Sequence, residues 1–82
     1  MTNLQRYTKV FSEIFNLPEA SFDESFTFAT TEEWDSIVHM SLVTALEEEF
    51  DIMLDTEDIL NYGSFENGKR ILAKHGVAME DA

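Results

Sequence analysis

Apolar residues recur every three or four positions through Leu4, Tyr7, Phe11, Ile14 and Phe15, which predicts a helix from about Asn3 to Phe15 with a single greasy stripe. Asn3 is placed to cap its start. Pro18, the only proline, requires the helix to have ended before it. From Asn16 to about Trp34 the helical period lapses. Connections longer than about 12–15 residues are uncommon in small domains and are usually functional or packed on themselves. Phe22, Phe26 and Phe28 are therefore expected to anchor this one to the core.

The period resumes at Ser36 and runs to about Phe50, with Asp35 set to accept backbone N–H bonds at the start. At about 100° per residue, His39, Leu42, Val43, Leu46 and Phe50 share one face. Ile37, Ser41, Thr44 and Glu48 line the opposite one, which is expected to meet solvent or a partner. Asp55 or Thr56 can cap a short third helix through about Asn61, and Ser64 a fourth from Phe65 to about His75, where Gly76 supplies the stop. Strand-like alternation and internal repeats are absent from the sequence. The pattern predicts an all-α fold, a small four-helix bundle of three longer helices and one short helix, in a single domain over residues 1–82.

Composition decides what can hold such a bundle together. With 82 residues there is material for one core, and a chain 44% hydrophobic and 12% aromatic can fold despite a net charge of −12. The absence of cysteine excludes disulfides, thiolate zinc sites and a thiol nucleophile of the chain's own, so any sulfur chemistry must use imported sulfur. Charge is unevenly placed: between Lys9 and Lys69 there is no Lys or Arg, and every acid except Glu80 and Asp81 lies in that interval. This anionic middle reads either as a solvated face or as a docking surface for basic partners. It opposes nucleic acid and anionic lipid. No stretch approaches the roughly 18 apolar residues of a spanning helix, and Met1 to Arg6 lacks an apolar signal region, so the expectation is a cytoplasmic monomer without membrane insertion.

Enzymatic chemistry from the chain's own side chains finds little support. Asp35, Ser36 and His39 are triad ingredients, but Asp35 adjoins the serine and cannot orient the far side of an imidazole three residues on. His39 reads as a packed or hydrogen-bonded core histidine, and His75 as a last-turn cation. Asp51, Asp55 and Asp58 lack the spacing of a calcium loop, leaving no metal site beyond loose divalent binding. Gly63, Gly68 and Gly76 are scattered at expected turns or a helix end, which gives no phosphate-binding loop.

Asp35-Ser36-Ile37, after a long loop and before an acidic amphipathic helix ending Ala45-Leu46-Glu47-Glu48-Glu49-Phe50, resembles the acyl carrier protein family, whose hallmark is Asp-Ser-Leu. Phe28 sits where such carriers place an inward-packing loop phenylalanine, and Leu54, Tyr62 and Phe65 match apolar positions around the family's short third helix. The resemblance covers nearly the whole chain. It implies a non-enzymatic carrier with 4'-phosphopantetheine attached to Ser36 by a phosphopantetheinyl transferase from coenzyme A. The thiol of that arm would carry an acyl group as a thioester between acyl-loading and acyl-consuming enzymes with basic docking patches. Asp35 would cap the helix and help the transferase recognise the site, while Ile37, Val38, Ser41, Thr44 and Glu48 would contact partners.

Two departures narrow the resemblance. Val38 and Ser41 stand where many fatty-acid synthesis carriers have acids, so the front of the helix carries less charge, and Val38 offers an apolar contact to a dedicated partner instead. Trp34 before Asp35-Ser36 looks more like stand-alone carriers of specialised pathways, aminoacyl or D-alanyl carriers included; a loop tryptophan packed across the bundle is the plainer reading. The competing interpretation of the whole chain is an unmodified acidic interaction module. Met40, Leu46, Met53, Leu54, Ile59, Leu60 and Ile71 either border an interior pocket for a fatty chain or are simply core.

Overall fold

The computed structural model describes residues 2–79. Its helices are α1 (Asn3–Phe15), α2 (Ser36–Phe50), α3 (Thr56–Leu60) and α4 (Phe65–Lys74), with a single 3₁₀ turn, Glu19–Ser21, in the long connection. The described residues form no strand, only an isolated antiparallel bridge between Thr27 and Ser64. This is the small all-helical bundle that the periodicity predicts.

Short polar side chains start every helix by accepting the N–H three residues on, which satisfies one of the donors a helix N-terminus leaves over. Asp35 does so for Val38 at 2.9 Å, Asp55 for Asp58 at 2.8 Å and Ser64 for Asn67 at 3.0 Å. On α1 the cap is Thr2 rather than Asn3. Its hydroxyl accepts from the Gln5 N–H at 3.1 Å while the Gln5 side chain accepts from the Thr2 N–H at 2.8 Å, a reciprocal capping box. Asn3 instead donates to the Ala78 carbonyl at 3.1 Å, tying the start of α1 to the chain beyond α4. Helices α1 and α2 end at Asn16 and Asp51, both left-handed, whereas α4 closes at His75 before Gly76 at φ 89°.

The buried stripe of α1 is Tyr7, Val10, Phe11 and Phe15, with Leu4 and Ile14 at its edges. Against it pack Phe22, Phe26, Trp34, Tyr62 and Phe65, most of them edge to face: Phe11 lies 4.8 Å from Phe65 and 5.8 Å from Trp34 between ring centroids. Trp34, only 2% exposed, therefore packs across the bundle. Phe28 does not pack inside, contrary to expectation. Trp34 already occupies the interior, and Phe28, 42% exposed, rests its ring on the Trp34 edge at 5.9 Å. The backbone on either side is pinned nonetheless, because Phe28 N–H donates to the Gly63 carbonyl at 2.8 Å and Phe65 N–H to the Phe26 carbonyl at 3.0 Å.

Gly68 also departs from expectation, since it lies inside α4 and not at a turn. A Cβ there would overlap the hydroxyls of Tyr62 and Tyr7. Those phenols are 2.6 Å apart, and Tyr7 donates onward to the Phe65 carbonyl at 2.7 Å, so Tyr62 donates to Tyr7. Burial pushes both phenols well above the usual tyrosine range.

Candidate functional site

Ser36 is the first residue of α2 and is exposed at the end of the long connection. Asp35 holds extended backbone and directs its carboxylate to the Val38 N–H, and its carbonyl accepts from His39 N–H at 2.8 Å. The N–H groups of Ser36 and Ile37 belong to the first turn, which has no intrahelical acceptors, so they face outward at the positive end of the helix dipole beside the serine hydroxyl. Such an arrangement accommodates a phosphodiester through backbone donors. That suits a chain with no cation between Lys9 and Lys69.

His39 lies one turn further along and is fully committed. Its Nδ1 accepts from the Trp34 indole N–H at 3.0 Å, which leaves the proton on Nε2, and Nε2 donates to the Ile59 carbonyl at 2.8 Å. The imidazole thereby joins the end of the long connection, α2 and α3, with no nitrogen left for general-base work on Ser36. A bonded core histidine is what the helical face predicts.

Two surfaces flank Ser36. On one side a groove of about 350 Å³ is lined by Phe28, His39, Met40, Ile59, Leu60 and Gly63. The other is the outward side of α2, where Ile37, 80% exposed, precedes Ser41, Thr44 and Glu48. Val38 turns away from that side and packs, half-buried, against the core. The seven apolar residues that either border an interior pocket or are simply core fall in different environments. Leu46, Leu54 and Ile71 are core, Ile59 is half-buried, and Met40, Met53 and Leu60 stand exposed.

The three glutamates at the end of α2 divide their work in a way local sequence does not reveal. Glu47 accepts from the Leu54 N–H at 2.9 Å, holding the turn into α3, and Glu49 pairs with the Arg6 guanidinium at 2.7 Å across to α1. Only Glu48 belongs to the outward surface beside Ser41 and Thr44. The aspartates of the acidic stretch likewise separate. Asp51 ends α2, Asp55 caps α3, and Asp58 turns inward to Lys74 Nζ and His75 Nε2, each at 2.8 Å. The Lys74 hydrogen bond, then that of His75, holds the Asp58 carboxyl below its ordinary range. No group of three or more His, Cys, Asp or Glu converges as a metal site among the described residues, and no described helix is long and apolar enough to cross a membrane.

An exposed serine on the first turn of a capped helix, in a small four-helix bundle, is the arrangement that the resemblance to acyl carriers implies. The family model for the phosphopantetheine attachment site matches residues 8–67, and the chain belongs to that family. It is a phosphopantetheine-bearing carrier with the group attached covalently, which decides against an unmodified acidic interaction module. No curated protein matches the chain.

Proposed function

We propose that Ser36 is the attachment point of the 4'-phosphopantetheine arm and that the chain is a non-enzymatic carrier of acyl thioesters in a specialised pathway. The observation that carries this reading is the exposed Ser36 hydroxyl on the first turn of α2, beside backbone donors that Asp35 leaves over. In the modification the Ser36 oxygen forms a bond to the pantetheine-bearing phosphorus of coenzyme A as the pyrophosphate P–O bond breaks. Adenosine 3',5'-bisphosphate leaves, and the hydroxyl proton passes to a base of the transferase. When bound, the arm supplies the terminal thiol that a cysteine-free chain lacks.

Partners are the transferase and the enzymes that load and consume the acyl group, with basic patches meeting the acidic surface in the cytoplasm. Ile37, Ser41, Thr44 and Glu48 form the contact side, whereas Val38, packed against the core, is left out of it. Trp34 ahead of Asp35-Ser36-Ile37 favours a specialised carrier, and for the same reason aminoacyl or D-alanyl cargo is the second reading. Intact-protein mass spectrometry after incubation with coenzyme A and a promiscuous phosphopantetheinyl transferase tests the assignment. One adduct on the parent and none on Ser36→Ala supports it; an adduct on Ser36→Ala places the arm elsewhere.

A further inference from the structure

We propose that the docking surface of this carrier crosses from α2 onto α1, and that it fits a partner helix that is apolar at the end meeting Ser36 and basic at the end meeting Glu48 and Glu13. The proposal rests on Ser36 bearing the arm, and it adds α1 and a direction to the contact side of α2. Between the two helices lies a hollow of about 290 Å³ lined by Val10, Glu13, Ile14, Ala45, Glu48 and Glu49. Ala45 and Glu48 also line the broad concavity that begins at Ser36 and Ile37, so the two hollows join into one track. At about 1.5 Å per residue the stretch of α2 from Ser36 to Glu48 is about 18 Å long, enough to seat three turns of a helix.

Charge divides the track. Its first part, Ile37, Met40, Ser41 and Thr44, has no charged side chain, and Ile37 and Met40 are exposed. Its far part sets Glu48 and Glu13 beside the half-buried Ile14 and Ala45, and among the described residues neither glutamate is paired with a cation. Glu49 is already committed to Arg6. Toward the start of α1 the next hollow is lined by Arg6 and Lys9 as well as Glu13 and Glu49, and those cations repel a basic segment and end the footprint there. An apolar side chain of the partner can rest on Ile14 and Ala45 between two cations, each facing one glutamate. A uniformly basic helix would bury its cations against the uncharged first part, and a uniformly apolar one would strip water from both carboxylates without replacing it. Only the helix divided in the same way as the track satisfies both parts.

The test titrates the full isotope-labelled chain, with its arm confirmed by mass and in parallel without it, against a helical peptide of Leu, Ala and Lys whose lysines occupy one half only and which carries a spin label at that end. Amide shifts are expected along α2 from Ile37 to Glu48 and in α1 from Val10 to Ile14, with the label broadening Glu13 and Glu48 before Ile37. Shifts that leave α1 untouched or centre on α3 overturn the proposal, as does broadening in the reverse order. Glu13→Lys is expected to weaken peptide binding about fivefold or more, whereas Glu24→Lys, the same change of net charge on the long connection, weakens it less than about twofold. Equal losses would make the attraction one of total charge and remove Glu13 from the site. Glu13→Gln repeats the comparison without adding a cation, and a loss of about two- to threefold is expected. A chain that takes up no arm overturns the reading of Ser36, which the mass shows separately from the peptide map.

Discussion

Replacing the hydrogen of Gly68 with a methyl group sets two effects of opposite sign against each other. Alanine is better than glycine in a helix interior by about 0.5–1 kcal/mol. Here the methyl would collide with the Tyr62 and Tyr7 hydroxyls, and overpacking costs about 1–3 kcal/mol with roughly another 1–3 if the buried hydrogen bonds separate. Gly68→Ala is therefore expected to destabilise by about 2–4 kcal/mol, seen as a lower urea midpoint at unchanged slope. Asp58 sets a second expectation. Its carboxyl is held low by Lys74 and then His75, so the stability it contributes is present above the ordinary value of 3.8 and is lost as pH falls through its folded value. Asp58→Asn should lower the melting temperature clearly at pH 7 and much less near pH 2; an equal loss at both would assign its effect to packing. Neither role is legible locally, because Gly68 answers to tyrosines on other segments and Asp58 to residues of the α4 end.

At the level of elements, what could be read and what could not follow from the reach of each signal. Helix spans and the caps at Asp35, Asp55 and Ser64 are local, set by period and by a side chain bonding three residues on, and they stand in the structure as expected. Thr2 was equally legible, since Thr2 and Gln5 have the spacing of a capping box; Asn3 was one residue late. Phe28 lies outside because the buried ring at this end of the connection is Trp34, and Phe28 rests against its edge. Glu47 and Glu49 spend their charge on partners brought near only by the fold. For α2 the cap and the proposed recognition role of Asp35 can be separated. Asn caps as well as Asp, so Asp35→Asn should keep the melting temperature while Asp35→Ala loses about 1 kcal/mol. If the carboxylate is read by the transferase, both variants are modified more slowly; modification of Asp35→Asn at the parental rate would reduce Asp35 to a cap.

For the molecule as a whole, a net charge of −12 acts on folding and on association with opposite signs. The chain spans 30 × 28 × 19 Å, and the Debye length is about 30 Å at 0.01 M salt, about 10 Å at 0.1 M and about 3 Å at 1 M. At the lowest of these ionic strengths every carboxylate repels every other across the molecule, and at the highest only near neighbours interact. Added salt should therefore raise the melting temperature, because local attractions such as Arg6 with Glu49, Lys69 with Glu66 and Lys74 with Asp58 are short-range and fewer than the repulsions it screens. The same screening removes the attraction that draws a basic partner to the anionic surface. Modification by the transferase should thus fall in kcat/KM over the range in which the fold becomes more stable. Melts and single-turnover modification rates across one salt series separate the two. A rate that held steady while the melting temperature climbed would confine the acidic surface to solubility and leave recognition to Ile37 and the apolar rim around Ser36.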